Sequence, residues 1–395
     1  MRTVQAGHPM LKPALRRSWR GPETLQFGVD PAHAVVLGPL DDPSARFLGL
    51  LDGTRGPALL REEAAALGLA PDRADRLLGV LADGGVLDDA DSAGPLDAVI
   101  RHQGGALERL RPDLASLSVV HPEPGAAAAR LAARRAARVK VCGAGRIGAS
   151  VAAVLSAAGV GRVAVADGGQ VEPWDAAPCG IPAAAVGERR EAAARGAVRR
   201  AAPDPRPAVR PARPEAALGL AVIAPRDGLS AYAPDPRPAE PLMAARIPHL
   251  YAGVVEGLGV VGPLVLPGRS ACAECLERAR AEADPAWPRI LAQLRSGRPP
   301  GVQACDIALS TLVAGLAATH ALALLDGRVP PSAGARVEFS LAGLGMRMVD
   351  VAPHAQCGCG AVDAPGARDN DRVTTPRRSR AARGYERGAH VGSSA

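Results

Sequence analysis

Residues 139–167 constrain the fold of this chain more than any other stretch, and they read VKVCGAGRIGASVAAVLSAAGVGRVAVAD. A short apolar segment, Val139–Cys142, precedes glycines in G-x-G-x-x-G spacing, an alanine-rich helical segment and a second apolar segment, Arg162–Ala166. This order predicts a βαβ unit whose second strand ends on Asp167. Such a unit belongs to an α/β, Rossmann-like fold and places a nucleotide at the glycine turn.

Each glycine of the turn has its own physical role. Gly143 permits the tight turn, Gly145 lets the backbone approach a phosphate, and Gly148 lets the helix pack on the strand. The helix should begin at Arg146, and its N-terminus offers N–H groups and a positive dipole end to an anion. Asp167 follows about 20 residues later, the spacing of an acceptor for a ribose hydroxyl. The alternative is a glycine turn in an α/β domain that binds no ligand.

Composition narrows the classes of function. Hydrophobic residues make up 47% of the 395, enough to bury cores in two or three domains. Aromatic residues make up only 2%, which argues against nucleic-acid binding through base stacking. The net charge is +7, but the arginines are scattered, with dense clusters mainly near the C-terminus. This distribution favours a solvated face over a dedicated DNA-binding surface.

Three features indicate a cytoplasmic protein without a membrane anchor. The N-terminus lacks the apolar core segment of a signal peptide. The longest apolar run, Thr311–Leu325, contains His320 and is shorter than the ~18–20 residues that span a membrane. Seven cysteines, four of them in two close pairs, favour a reducing compartment and metal binding over disulfides.

Residues 1–95 are predicted to form a small α+β domain. Three short strands are expected, at Leu11–Arg17, Thr24–Gly28 and Ala34–Gly38. Three helices should follow, at Pro43–Leu51, Pro57–Leu67 and Asp72–Ala82. This order favours a winged-helix-like fold, and the phrases VVLGPLDDPSARFLGLLDGTRG and LLGVLADGGVL resemble the PqqD-like leader-peptide recognition domain. The resemblance implies that a precursor peptide binds as an added strand at the sheet edge. A packing or dimerisation module is the alternative.

Two segments are interpreted as lying outside the folded domains. Residues 96–137 form a connector with helices expected at Ala106–Leu114 and Ala126–Ala137. Residues 361–395 are rich in glycine, serine, arginine and aspartate without periodicity, so a disordered basic tail is predicted. Its basic run, Arg377–Arg383, is interpreted as solvated, with contact to nucleic acid or an acidic partner as the alternative.

Two close cysteine pairs predict a metal site. The pairs are C-x-x-C and, 82 residues later, C-x-C, and they consist of Cys272, Cys275, Cys357 and Cys359. Four thiolates bind Zn²⁺ tetrahedrally, and a closed set of four leaves no position for water, so such a zinc would be structural. It would clip the C-terminal part onto the domain. The alternatives are four unliganded thiols, or His354 in place of one cysteine.

The order of motifs from Val139 to Gly360 resembles the ThiF/MoeB and ubiquitin-activating superfamily. The resemblance rests on the glycine loop, the AAGVGRVAVAD strand, a following basic helix, the strand Leu220–Ile223, the IPHLYAG strand, and PGRSACAECL at the first cysteine pair. It implies a Rossmann-like, ThiF-type domain over residues 138–360 and a homodimer. The family's reaction is adenylation, in which a peptide or small-protein carboxylate attacks the α-phosphate of ATP with Mg²⁺ present.

Site residues can be carried over by position. The resemblance assigns the three loop glycines to the phosphates and Asp167 to the ribose. Arg190 stands where the family has its phosphate lysine and supplies charge with a different donor geometry. Arg146 replaces a small loop glycine, where it either adds a cation or crowds the phosphates.

The chain also departs from the family pattern. Three functional residues of the family are replaced in this chain. Gly169 stands in place of the second acid after the strand, Pro178 in place of the arginine lent to the dimer partner, and Arg226 in place of the magnesium aspartate. Asp227, the next residue, is the only substitute for the magnesium acid. Cys179 and Cys305 lie outside the metal pairs, and each is a candidate thioester nucleophile without an identifiable base.

Three functions are suggested by these patterns, and two of them account for the whole chain. The first is an ATP-dependent adenylyltransferase, or a descendant of one, that acts on a small protein or ribosomal precursor peptide through Arg190 and Asp227. The second is a non-catalytic scaffold that binds a leader peptide and presents the precursor to a partner enzyme such as a cyclodehydratase. A nicotinamide oxidoreductase is suggested by the glycine motif and Asp167, but it explains neither the cysteine pairs nor the N-terminal domain.

Overall fold

The structure, a computed structural model, describes residues 7–31, 34–93, 105–204, 217–297 and 301–361. Its strands within these ranges are β1 Pro9–Leu11, β2 Arg17–Gly21, β3 Thr24–Phe27, β4 Val35–Leu37, β5 Leu87–Asp89, β6 Arg138–Cys142, β7 Arg162–Ala166, β8 Leu220–Ile223, β9 His249–Val255, β10 Leu258–Val265, β11 Ala335–Ser340 and β12 Gly345–Asp350. Its α-helices there are α1 Asp42–Gly49, α2 Pro57–Ala66, α3 Pro71–Asp83, α4 Ala106–Val120, α5 Ala126–Ala136, α6 Arg146–Ala157, α7 Arg190–Ala201, α8 Leu229–Tyr232, α9 Glu240–Ala244, α10 Ala273–Ala283, α11 Trp287–Ser296 and α12 Ile307–Leu325.

The described residues divide into two units. The N-terminal unit contains residues 7–93 and 111–130, and the larger unit contains residues 105–110 and 131–361. The division falls inside the segment interpreted as a connector. Of the other predicted segments, residues 96–104 and the tail from 362 onward, with its basic run, lie outside the described residues.

A seven-stranded sheet organises the larger unit, in the order β12-β11-β10-β9-β8-β6-β7. Strands β9, β8, β6 and β7 run parallel, and β10, β11 and β12 extend the sheet as an antiparallel meander. The chain passes from β6 to β7 on one side and later returns to β8 on the other. The strand order therefore reverses at β6, which opens a crevice at the carboxyl ends of β6 and β8. The predicted α/β class is confirmed, and the sheet is mixed, with four parallel strands.

Apolar side chains on both faces of this sheet form the main core. Helix α12 contributes Leu309, Val313 and Ala317 to it and packs against α6, β9 and β10. Its N-terminus is capped by Asp306, whose carboxylate accepts hydrogen bonds from the N–H groups of Ala308 and Leu309. By length and composition alone α12 could cross a membrane, but its buried face belongs to the core.

The N-terminal unit contains two small sheets and the helices α1 to α3. Strands β2, β3 and β4 form an antiparallel sheet, and β1 pairs with β5. The single strand predicted at Leu11–Arg17 is wrong, because β1 ends at Leu11 and β2 begins at Arg17. Pro13 lies between them and lacks the N–H group that a continued ladder needs, and the chain turns with Leu15 N–H donating to the Lys12 carbonyl.

Helix α4 is longer than predicted. It was expected to end at Leu114 but continues to Val120, with Pro112 inside it. The buried Lys12 helps to hold its end, since the ammonium donates to the carbonyls of Ser118 at 2.6 Å and Pro122 at 2.9 Å. A cation on the last carbonyls of a helix is favourable because they are otherwise unsatisfied.

Candidate functional site

The glycine turn is built by close backbone packing. Gly143 has φ +108°, and a Cβ there would lie 1.9 Å from the carbonyl oxygen of Ala224. A Cβ on Gly148 would lie 2.1 Å from the Gly143 carbonyl oxygen. Gly145 is the N-cap of α6 and provides no side chain to cap the first N–H groups. The turn thus brings bare helix N–H groups to the crevice.

Asp167 lies beside this turn in an ion pair with Arg190. One carboxylate oxygen accepts from the Ala144 N–H at 2.6 Å and the other from Arg190 Nε at 2.9 Å. The Arg190 guanidinium also donates to the carbonyls of Gly168 and Gln170. Both side chains are largely buried, 8% and 14% exposed. A ribose hydroxyl would therefore be an additional partner of Asp167 rather than its first.

Gly169, where the family pattern has a second acid, makes room for this arginine. Its φ is +88°, and a Cβ there would lie 2.9 Å from Arg190 Nη2. A side chain at this position would displace the guanidinium from its two loop carbonyls. The absence of a side chain at Gly169 therefore allows Arg190 to take this orientation.

A cavity of about 230 Å³ lies at the N-terminus of α6. Its polar lining includes Arg146, Asp175, Arg226 and Gln303, beside the ring of Trp174. Arg146 reaches across it, because Nε donates to the Trp174 carbonyl at 2.6 Å and Nη1 to the Cys305 carbonyl at 2.7 Å. These two contacts hold the Arg146 guanidinium in the cavity lining.

Asp175 and Arg226 form an ion pair in the wall of the same cavity. Asp175 is only 2% exposed and accepts from Arg226 Nε at 2.9 Å and from the Glu172 N–H at 2.9 Å. Arg226 stacks near the Trp174 ring, with Cζ 5.8 Å from the ring centroid. Its Nη2 is buried and has no hydrogen-bond partner within the described part of the chain.

Other predicted site residues lie elsewhere. Asp227 is exposed, and its carboxylate accepts from the Leu229 N–H at the start of α8 rather than lining the cavity. Cys305 borders the cavity, but burial raises the pKa of its thiol, which disfavours the thiolate that a nucleophile needs. Cys179 is exposed, and the cavity lining does not include it.

The cavity does not fit Mg²⁺. This ion takes oxygen ligands in octahedral geometry, usually with one or two free carboxylates. Asp175 is the only acid in the described lining, and its carboxylate is already paired with a guanidinium. The donors instead suit an anion, since two arginines and a helix N-terminus face one aspartate.

The four paired cysteines meet at a second site. Cys272 and Cys275 stand at the start of α10, and Cys357 and Cys359 come from the loop after β12. All four Sγ atoms lie within 4.8 Å of one another, with pairs at 3.6–3.8 Å. Zinc–sulfur bonds of ~2.3 Å in a tetrahedron separate the sulfurs by about 3.8 Å, so the cluster fits Zn²⁺.

The four thiols are in mutual contact, and this alters how they ionise. The hydrogen bond between Cys272 and Cys275 lowers the pKa of Cys275 and raises that of Cys272, so one thiolate is favoured within this pair. His354 lies outside the cluster, with Nε2 paired to Glu282 at 2.9 Å. Among the alternatives, replacement of a cysteine by His354 therefore does not match the geometry.

Sequence reasoning missed two residues of the cavity, Asp175 and Trp174. They lie on a 3-10 turn, Pro173–Asp175, with no periodic signal. The one available signal was the turn's capping pattern, because Glu172 and Asp175 cap each other's backbone N–H groups. That pattern predicts a turn and says nothing of a partner 51 residues away.

The chain is similar to a known protein family and to several solved structures. A protein-family model described as the ThiF family matches residues 123–361. A solved structure of Escherichia coli MccB with MccA-N7isoASN is 14% identical at a TM-score of 0.65, covering 90% of this chain and 99% of that one. MccB in complex with N-formylated MccA is 15% identical at a TM-score of 0.64, covering 89% and 99%.

Two further solved structures extend the comparison. E. coli MccB with ATP is 14% identical at a TM-score of 0.64, covering 89% of this chain and 99% of that one. The heterocyclase TruD is 17% identical at a TM-score of 0.58, covering 90% of this chain but 43% of that one. These likenesses show a shared fold. A search of curated proteins finds no match.

Proposed function

We propose that this chain, which belongs to the ThiF family, binds a ribosomal precursor peptide and presents it to a partner enzyme, while its nucleotide cavity no longer supports metal-dependent adenylation. The observation that carries the proposal is the ion pair of Arg226 with the buried Asp175. Arg226 stands where the resemblance places the magnesium aspartate. A fixed cation there repels Mg²⁺ instead of binding it.

Opening this pair to admit a metal is unfavourable. Displacing Arg226, whose side chain is 34% exposed, would remove the charged partner of the buried Asp175 carboxylate. Mg²⁺ would have to displace Arg226 and also give up part of its own hydration shell. Asp227, the only substitute in the sequence, is engaged at the start of α8.

The N-terminal unit supports the peptide-binding part of the proposal. In its sheet, β2 and β4 are edge strands, each paired on one side only among the described residues. An extended peptide adds to such an edge through main-chain hydrogen bonds. Residues 1–95 resemble the PqqD-like recognition domain, and the complexes of MccB with MccA support a peptide substrate.

Hydrogen exchange tests strand addition on the full-length chain. The probes are synthetic peptides for the short reading frames beside the gene, and their binding is first measured by fluorescence anisotropy. A bound peptide should slow amide exchange by about tenfold or more in either Arg17–Gly21 or Val35–Leu37. The central strand Thr24–Phe27, already paired on both sides, is the internal control. Binding without protection of either edge contradicts strand addition, and no binding of any peptide contradicts the function.

A second function, ATP-dependent adenylation, is favoured by the glycine turn and by Asp167 beside it. Its test is peptide-dependent exchange of pyrophosphate into ATP. If adenylation occurs, Asp167→Ala should weaken ATP binding by ~1.5–3 kcal/mol, or roughly tenfold to a hundredfold. Arg190→Ala should reduce exchange more than binding if it acts in the transition state. Asp227→Ala should change the Mg²⁺ dependence only if Asp227 holds the metal. Exchange by the wild-type protein would contradict the scaffold role.

A further inference from the structure

The cavity beside α6 has more positive charge than its own acid neutralises. Arg146 and Arg226 line it together with the first residues of α6, and Asp175 is the only acid in the described lining. Each guanidinium has five N–H donors and no acceptor. An excess of positive charge and of N–H donors in one lining indicates a bound anion.

Within the described residues, Arg226 is held to the protein through its inner nitrogen alone. Asp175 accepts from Nε, the inner nitrogen, at 2.9 Å, so the contact fixes the plane of the guanidinium without engaging its two outer nitrogens. The ring of Trp174 supports the group at 5.8 Å. Nη2 is buried and without a partner in the described part of the chain. A buried donor in this state has lost its hydration and gains a partner only if a ligand or a local rearrangement supplies one.

Arg146 is fixed in a comparable way. Carbonyls of Trp174 and Cys305 accept from its Nε and Nη1, which holds the charge at the wall although neither partner is anionic. Neutral partners leave its positive charge uncompensated. The N-cap Gly145 adds no side chain over the N–H groups of the helix start. These features lie side by side in one lining.

We propose that this cavity binds the polyphosphate of a nucleoside triphosphate without a divalent metal, with the guanidinium groups of Arg226 and Arg146 supplying the charge that Mg²⁺ supplies elsewhere. The proposal rests on the proposed function in one respect, the loss of the metal site. It adds that the cavity still takes nucleotide as a ligand. Arginine suits this role because its planar fork pairs with phosphate oxygens in a bidentate way.

The test is a titration of the full-length protein with ATP, followed by calorimetry and by tryptophan fluorescence, to which Trp174 in the cavity wall contributes. One buffer contains EDTA and the other excess Mg²⁺. The Kd should agree within about threefold between the buffers, and AMP, which lacks the β- and γ-phosphates, should bind at least about tenfold more weakly. A Kd at least tenfold lower with Mg²⁺, equal binding of AMP, or no binding of ATP at millimolar concentration overturns the proposal.

Variants distinguish a loss of ATP binding at the site from a loss of folding stability. Asp175→Asn combined with Arg226→Gln removes both charges together and avoids an unpaired buried acid, so the thermal midpoint should hold while ATP affinity falls about tenfold or more. Asp175→Asn with Arg226→Asp should make ATP binding depend on Mg²⁺. Arg237→Ala, which breaks an exposed ion pair outside the cavity lining, is the matched control and should change nothing. Wild-type affinity in the Asn/Gln variant overturns the proposal. Peptide binding and pyrophosphate exchange, measured on the same samples, report on the proposed function separately.

Discussion

At the scale of single residues, the space around a missing Cβ atom shows which glycines of the larger unit are required by packing. Gly148 and Gly315 are both helical, yet their surroundings are opposite. A Cβ on Gly148 would lie 2.1 Å from the Gly143 carbonyl oxygen, whereas a Cβ on Gly315 meets no atom within 4 Å. The close approach at Gly148 is what brings α6 onto the turn that follows β6.

Gly148→Ala should therefore destabilise the protein, because the helix must move away from the turn. We expect a loss of about 1–3 kcal/mol in the free energy of unfolding, the usual range for overpacking. Gly315→Ala is the matched control, and it should stabilise by up to about 1 kcal/mol, since alanine is the better helix former. Urea denaturation of the two variants checks both values. Equal effects of the two substitutions would contradict this explanation of the turn.

At the residue scale, spacing in the sequence indicates which residues of one motif lie together, but it does not indicate contacts between distant segments. The loop glycines and Asp167 follow from a local motif, and they do lie together around the turn. The pair of Asp175 and Arg226 joins two loops 51 residues apart, neither with a periodic pattern. The family resemblance indicated only that Arg226 stands where the family has its magnesium aspartate. Which acid it pairs with depends on the folded loops.

At the scale of elements, the strands predicted best are those whose apolar run has a clear beginning and a clear end in the sequence. Strands Arg162–Ala166 and Leu220–Ile223 have the predicted limits. The N-terminal strands were harder, since three or four residues leave little pattern to read. The pairing of β1 with β5 depends on a strand that follows three helices, which no local signal indicates.

The cysteine cluster is an element-scale clip, since it joins the start of α10 to the loop after β12. Purified protein should contain about one zinc per chain, and Cys272→Ser with Cys275→Ser should abolish it. We expect the thermal midpoint to fall by roughly 5–10 °C, the shift for about 2–3 kcal/mol in a domain of this size. Metal analysis and thermal unfolding are the measurements. Cys179→Ser, an exposed cysteine outside the cluster, should leave both unchanged. Wild-type protein without zinc would contradict the clip.

At the scale of the whole molecule, the open edge of the seven-stranded sheet is notable for its exposed apolar side chains. Strand β12 ends the sheet and is exposed over most of its length. Met346 and Met348 are 55% and 53% exposed, and Leu344 in the preceding turn is 74% exposed. An apolar open edge invites pairing with another strand. The family resemblance implies a homodimer, and a second copy of this chain is the occupant that would cover the edge.

We therefore expect a homodimer in sedimentation at micromolar concentration, formed through this edge. Met346→Lys with Met348→Lys places two charges in the interface and should shift the protein to monomer, because neither ammonium finds a partner there. Val329→Lys is the control, since Val329 is also apolar and 58% exposed but lies outside β12. The Val329→Lys variant should remain dimeric. With Pro178 in place of the family's lent arginine, the dimer would be structural, so the monomeric variant should still bind peptide and ATP. A monomeric wild-type protein, or a double variant that stays dimeric, would contradict this assignment.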